Sequence, residues 1–378
     1  MLLLAIATLA AIAVACGDAR GGGSPRDGDE RGGSLSLEEA VEAGAATVLR
    51  RTTVFDTDPV GINGPALTIL VPDGWTVQGG PVWRHQYSNL ATFEGIVASP
   101  DGFQAVQYFP IFPQIWQQGG IPFFPEGSIY LGNEVRPPIG DAAAFLEALV
   151  LPAYRGGVGP RIIAREPLPA VATMYVQNSL PGTEVIAERI LTEHVFNGVA
   201  ILEEFTVVLS FTPNPAIPGA LVWKPEQLFS VRAPASAFEE ARPILQAIAT
   251  SPVVNRDWYA AYVYVLDLSI QNGFAAIRSA GEMSRIVTEA NQAISDTIIE
   301  SYNQTQATND RIFDAVSQTI RGVETYSDPF EGGTIELPNG YNYAYASEEG
   351  NVILTNEPGF DPVRAFPAQT WETLTIQR

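Results

Sequence analysis

Apolar residues alternate with polar ones in short runs along much of the first two thirds of the chain, and glycine or proline bounds most of these runs. This period of two is typical of half-buried β-strands. Two turns join successive runs into predicted hairpins: Pro100-Asp101-Gly102, and Asn197-Gly198 between the two longest runs. The predicted strands are 66–72, 81–86, 91–99, 103–110, 185–196, 199–211 and 226–234.

Apolar residues spaced three and four apart predict two helices in the same region. The first covers 141–155 and stops at Pro152, and the second covers 235–251, where Pro243 stands at a helix start. Strands joined by short turns, with few helices between them, indicate an α+β domain over 35–256. We expect an antiparallel sheet with flanking helices.

Part of this domain resembles a known family. Pro72-Asp73-Gly74-Trp75 ends a predicted strand, and the second helix carries Phe238, Pro243 and Ile248 before it closes in Ala-Thr-Ser. These motifs resemble those of PsbP-like domains over residues 50–256. The resemblance implies a PsbP-like α+β fold with a binding or assembly role, and it carries over no catalytic residue.

A long apolar stripe follows this domain. Its positions return to one helix face from Met283 to Val323, and no proline lies between Trp258 and Thr325. The stripe predicts a long amphipathic helix over 257–325. The polar stretch 301–310 leaves a hairpin as the alternative, but the unshifted phase favours one helix. Because the stripe must be buried on this chain or on a second copy, residues 283–323 are a candidate contact for a homo-oligomer.

The C-terminal residues return to alternation and predict a small antiparallel β domain over 326–378. Its middle strand is predicted to carry Tyr341, Tyr343 and Tyr345 on one face. Together with the long helix, residues 257–378 resemble a tail of uncharacterised bacterial exported proteins, a resemblance that implies no activity. The predicted strands are 334–338, 341–347, 351–356 and 371–377.

The N-terminus is apolar up to Ala15, and Cys16, the single cysteine of the chain, follows it. A fifteen-residue helix spans about 22 Å, which is less than the ~30 Å bilayer core, so a signal peptide over 1–16 is favoured over a membrane anchor. Ala13-Val14-Ala15-Cys16 resembles a bacterial lipobox, although Ala13 replaces the usual leucine and no basic residue precedes the run.

The lipobox resemblance implies that Cys16 is lipidated. Simple cleavage after Ala15 and an uncleaved anchor are the alternatives. The glycine-rich residues 17–34 are predicted to form a flexible linker. We therefore expect a protein of the bacterial cell envelope that is extracytoplasmic and attached to a membrane through its N-terminal lipid.

The charge and the motifs narrow the function classes. The net charge of −21 repels phosphate backbones, so nucleic acid is not an expected partner. One cysteine and two histidines give neither an intramolecular disulfide nor a usual zinc site, and the acidic stretches 26–30 and 56–59 offer too few oxygens for calcium. We expect no metal and no cofactor, and we interpret His85 and His194 as structural. Common nucleotide-binding and hydrolase motifs are missing.

Residues 109–127 are the leading candidate for a contact surface because they combine aromatic rings with four prolines. Rigid aromatic side chains in a loop suit a partner surface or a ligand groove, although they could also simply cover the sheet. With the three tyrosines of the tail, the candidate partner or ligand contacts are Phe109, Phe112, Trp116, Phe123 and Phe124.

These features favour a membrane-anchored lipoprotein with a non-catalytic binding or assembly role, whose partner is a protein or a small molecule. A carboxylate-based envelope hydrolase is one alternative, although pairs such as Glu203/Glu204 are too common to identify a site. A cleft that holds two close carboxylates with raised pKa values would favour it. A self-assembling structural protein, held by the helix stripe, is the other alternative.

Overall fold

The computed structural model describes residues 46–215, 217–271, 280–293, 296–318, 323–330 and 334–377. Cys16, the signal peptide 1–16 and the linker 17–34 lie outside the described residues. The described chain is a mixed α+β protein dominated by strands, as the sequence predicts. The first twelve strands are β1 (Ala46–Asp56), β2 (Gly64–Pro72), β3 (Thr76–Trp83), β4 (Ala91–Ala98), β5 (Ala105–Tyr108), β6 (Gln114–Gln117), β7 (Ile129–Tyr130), β8 (Asn133–Val135), β9 (Arg161–Pro167), β10 (Glu184–Phe196), β11 (Val199–Pro213) and β12 (Ala220–Pro234).

The remaining strands belong to the C-terminal third. They are β13 (Val253–Val254), β14 (Val323–Ser327), β15 (Thr334–Pro338), β16 (Tyr343–Ser347), β17 (Val352–Thr355), β18 (Trp371–Thr373) and β19 (Thr375–Ile376). The helices are α1 (Ala142–Phe145), a π-helical turn (Leu146–Val150), α2 (Leu151–Arg155), α3 (Pro169–Gln177), α4 (Phe238–Thr250), α5 (Arg256–Gln271), α6 (Ala280–Ala293), α7 (Asp296–Gln318) and α8 (Pro362–Ala365).

The largest sheet has ten strands, and its main path is β3-β4-β5-β12-β11-β10-β9. Both predicted hairpins are confirmed. Asn197 and Gly198 have φ angles of 48° and 81°, which match the right-handed twist of the two long strands they join. Gly102, at φ 73°, likewise closes the β4–β5 hairpin. One edge of β12 pairs with β5 near its end and with β6 near its start.

Only some strands of the C-terminal tail form a sheet of their own, and the others join strands from the N-terminal part of the chain. The sequence places 326–378 in a separate β domain, whereas the structure pairs Leu49 of β1 with Val352 of β17. The resulting six-stranded sheet has the order β13-β2-β1-β17-β16-β18. A small C-terminal sheet does exist, in the order β15-β14-β19, and it confirms that part of the prediction.

The predicted first helix runs past Pro152, which was expected to end it. A π-helical turn interrupts the helix, and Pro152 then falls in the first turn of α2, where a missing amide N–H is tolerated. The helix therefore continues to Arg155.

The second predicted helix also differs, because α4 begins at Phe238 and Pro243 lies inside it. Glu239 and Glu240 in its first turn favour the helix N-terminus. Phe238, Leu245 and Ile248 form an apolar face that is buried in a large hydrophobic cluster. The free energy gained by this burial outweighs the cost of the helical hydrogen bond that Pro243 cannot make.

The prediction of one helix over 257–325 is wrong for the described residues. The Tyr259 hydroxyl in α5 lies 3.2 Å from Ser301 Oγ in α7, an approach that no straight helix allows. The alternative hairpin at 301–310 is also wrong, since α7 is helical throughout that stretch. Met283, Ile286 and Ala290 of α6 are buried against α5 and the β3–β4 region, so the chain itself covers this part of the stripe.

Two clusters cover the two faces of the ten-stranded sheet. On one face, α4 and strands of the six-stranded sheet enclose the main core around Ile69, Val106 and Phe229. On the other face, α1, the π-helical turn and α2 pack over Phe205, Val207 and Trp223. No described helix is both long and apolar enough to cross a membrane.

Candidate functional site

The aromatic segment forms an open cleft of about 440 Å³ next to β6 and β8. Ile121 is buried in its floor, Phe124 packs against Tyr130 with ring centroids 4.6 Å apart and the rings tilted by 49°, and Trp116 is half-buried. We call this the aromatic cleft. It is lined by Trp116, Gly120, Ile121, Phe123, Phe124, Pro125, Glu126 and Val135.

Phe123 stands at this cleft with its side chain 99% exposed. Its φ of 67° is in the left-handed region, which bulky residues adopt rarely and at a cost. Gly119, Gly120 and Gly127 supply further positive φ values around it. The loop thus displays an aromatic ring to solvent through a backbone conformation that glycine would accept more readily.

The structure brings together only part of the predicted aromatic set. Trp116, Phe123 and Phe124 share the cleft. Phe109 is 1% exposed in the core beside Phe205, so it is not a contact residue. Phe112 lies elsewhere, 4.8 Å from the Tyr87 ring and beneath the Arg84 guanidinium. The sequence could not separate these rings, because prolines obscure the strand period that would have marked Phe109 as inward.

The three tyrosines of the tail do not share one face. Tyr341 precedes β16, packs against the cluster of Leu49 and Leu354, and its hydroxyl lies 2.9 Å from Thr47 Oγ1. Tyr345 packs on the other cluster, with Ile353 and Phe360. The strand begins only at Tyr343, so the predicted alternation does not apply to Tyr341. Tyr343 is 37% exposed and remains available for contact.

Both histidines lie in structural surroundings. His85 donates from Nε2 to the Val60 carbonyl at 3.0 Å and stacks on Trp83. His194 is buried on β10 next to the charges of Glu203, Arg155 and Arg232. Burial lowers the pKa of each imidazole below its usual value. Each is therefore neutral near pH 7 and enclosed by protein.

The adjacent carboxylates Glu203 and Glu204 point to opposite faces of β11, as strand neighbours must. Arg155 of α2 grips Glu203 with two hydrogen bonds of 2.8 and 2.6 Å, and the Ser230 hydroxyl donates a third at 2.6 Å. Burial opposes ionisation of Glu203, but these donors and the Arg155 charge outweigh it and lower its pKa. Glu203 and Arg155 are 48 residues apart, so no local spacing predicts their pairing.

Burial raises the pKa of Glu204, which is held on the opposite face by Arg242 and Gln246. One raised and one lowered carboxyl on different faces do not make the paired acid and base that a hydrolase of this type needs. These two residues therefore give the hydrolase alternative no site.

The acidic turn 56–59 binds protein donors. Asp56 Oδ2 accepts hydrogen bonds from the indoles of Trp83 and Trp258, each at 2.9 Å, and from the Ile62 amide at 2.9 Å. This carboxylate fastens α5 to β1 and β3. Among the described residues, no three His, Cys, Asp or Glu side chains are grouped as a metal site.

No family model matches the chain, and no curated protein matches it.

Proposed function

We propose that this chain is a lipid-anchored, extracytoplasmic lipoprotein of the bacterial envelope that binds a partner protein and has no catalytic role. The aromatic cleft is its contact surface. The observation that carries this proposal is Phe123, which is 99% exposed at the cleft despite its positive φ. An exposed aromatic ring next to an apolar depression is typical of a protein–protein contact.

The chemistry of the cleft indicates the partner. Its apolar lining of Trp116, Ile121 and Phe124 accepts an apolar side chain, and Glu126 at the same cleft favours a neighbouring Lys or Arg. The charge of −21 disfavours direct adsorption to anionic lipid. We therefore propose a protein segment with an apolar residue beside a basic one as the occupant.

The motifs of residues 50–256 support a PsbP-like fold for that part of the chain.

The sequence around Cys16 supports attachment to a membrane through a lipid. Cys16→Ser should move the full-length chain from the membrane fraction to the soluble fraction, and it should abolish incorporation of a palmitate label. Retention of both label and membrane binding in this variant would contradict the lipid anchor, without bearing on the cleft.

A photo-crosslinking residue in place of Phe123 tests the cleft directly in intact envelopes. We expect one dominant adduct, identified by mass spectrometry and lost when Trp116→Ala is added. The same crosslinker in place of Glu372, an exposed residue of β18, is the matched control and should give no such adduct. Absence of an adduct at position 123, in a chain that folds normally, would remove the cleft from the proposal.

A further inference from the structure

A second concave surface lies on the outer strands of the large sheet. It has a volume of about 560 Å³ and is formed by β3, β4, β5 and the turn 57–59. We call it the β3–β5 groove, and it shares no lining residue with the aromatic cleft. Its size is that of a small-molecule site.

Two glycines, Gly79 and Gly80, line this groove. Gly80 is the cross-strand partner of Glu94, so the position of β3 directly opposite Glu94 carries no side chain. A Cβ on Gly80 would come within 2.9 Å of the Phe55 carbonyl oxygen, and one on Gly79 within 2.2 Å of the Glu94 carbonyl oxygen. Close backbone approach therefore requires glycine at both positions and leaves the floor flat.

Two polar side chains of the groove, Glu94 and Gln107, accept hydrogen bonds from residues of α2. The Tyr154 hydroxyl donates to Glu94 Oε1 at 3.2 Å. Arg155 Nη2 donates to Gln107 Oε1 at 2.7 Å while the same guanidinium grips the fully buried Glu203. Because the oxygen of Gln107 faces Arg155, its amide nitrogen is the group left to present a donor.

The helical segment that carries Tyr154 and Arg155 is irregular just before these residues. The π-helical turn Leu146–Val150 immediately precedes α2, which carries Tyr154 and Arg155. Turns of this kind are frequent at functional sites. Glu94 and Gln107 are thus hydrogen-bonded by the half-buried Tyr154 and the buried Arg155, as in preorganised binding sites.

The donor and acceptor pattern selects the ligand chemistry. Glu94 offers an acceptor and Gln107 a donor, and no Lys or Arg lines the groove. Phosphate or carboxylate groups would only accept, and they would be repelled by Asp58 and Glu94. An ammonium or guanidinium would satisfy Glu94 but has nothing to accept from Gln107. A hydroxyl group donates and accepts at once.

We propose that the β3–β5 groove binds a neutral saccharide, with its hydroxyl groups bridging Glu94 and Gln107. This site is separate from the partner contact at the aromatic cleft and does not depend on it. Pro81, Val82 and Ile96 provide apolar walls for the carbon faces of the sugar ring.

Saturation-transfer NMR and calorimetry on the full-length chain test this site, with glucose, galactose, mannose and N-acetylglucosamine as probes. We expect at least one to bind with a Kd of about 1–10 mM, as a few hydrogen bonds allow. Glu94→Gln keeps an acceptor for Tyr154 but removes the charge-assisted bond, so binding should weaken about fivefold to tenfold. Gln78→Trp should abolish binding by filling the groove from its exposed edge.

Glu372→Gln, at an exposed position of β18 outside both the groove and the aromatic cleft, is the matched control and should bind the same sugar unchanged. Thermal melting of each variant confirms that it folds. The proposal is overturned if none of the four sugars binds, or if Glu372→Gln weakens binding as much as Glu94→Gln. Binding of spermidine that depends on Glu94, without sugar binding, would assign the groove to a cation instead.

Discussion

At the scale of single residues, Arg155 and Glu203 form an ion pair that is buried in the protein. Glu203 is 0% exposed, and Arg155 is the only arginine within hydrogen-bonding distance of it among the described residues. Removing one partner of such a pair leaves a buried charge without compensation, which costs far more than the pair itself contributes.

Glu203→Gln should therefore lower the free energy of unfolding by about 3 kcal/mol, measured by urea denaturation at pH 7. Glu193→Gln is the control on the same sheet, because its pair with Arg161 is exposed on both sides and should contribute less than about 0.5 kcal/mol. Equal losses in the two variants would contradict the assignment of Glu203 as a buried anchor.

The pH dependence of this loss has a definite sign. Because the pKa of Glu203 is lower in the folded chain than in the unfolded one, its contribution is complete above the unfolded pKa and disappears as the pH falls through the folded pKa. The difference in stability between wild type and Glu203→Gln should shrink in acid accordingly.

Residue roles were predictable only where the chemistry is local. Alternation along β10 puts Glu193 and His194 on opposite faces of the strand, and the structure has the Glu193 side chain 46% exposed and His194 buried. The sequence has no means of placing Arg155 beside Glu203 and Gln107, or Asp56 between two indoles. Those contacts join segments far apart along the chain.

At the scale of elements, turns were predicted well and long-range helix arrangements were not. Asn-Gly and Pro-Asp-Gly act through backbone φ values that the residues themselves prefer, so their hairpins follow from the sequence. The stripe from Met283 to Val323 has the same phase whether the helix is one rod or several packed segments. Periodicity reports which face is buried, but not what buries it.

Spin labels at Asp257 and Glu300 would test how the helices pack. These positions are 43 residues apart, which is about 65 Å along a straight helix. Because Asp257 lies beside Ile298 and Ile299, we expect a label separation below about 30 Å by pulsed electron resonance. A distance near 65 Å would instead support a single straight helix, whose apolar stripe would be available for self-association.

At the scale of the whole molecule, the pairing of β1 with β17 joins the N-terminal and C-terminal parts of the described chain in one sheet. Leu49 and Leu70 of the first strands are fully buried against Leu337 and Leu354 of the tail. The tail is therefore part of the packing of the N-terminal strands.

Deletion of residues 326–378 should prevent cooperative folding, because it removes β17, one of the two strands paired with β1, and exposes Leu49 and Leu70. Loss of a thermal transition and binding of a hydrophobic dye would report this. Deletion of residues 1–34 is the matched control and should leave the transition in place. A truncated chain that melts like the full-length protein would restore the separate β domain.

The sequence by itself determined the strand-rich α+β class, the hairpins, the small C-terminal sheet and the cluster of aromatic residues at 116–124, because each follows from local period or turn chemistry. The tertiary structure decided the rest: which aromatic rings are core, where the tail strands pair, how the helices fold back, and which polar groups meet in the β3–β5 groove. These depend on contacts between residues far apart along the chain, such as Arg155 with Gln107 at 48 positions and Thr47 with Tyr341 at 294, whose free energy is realised only when the strands and helices pack together.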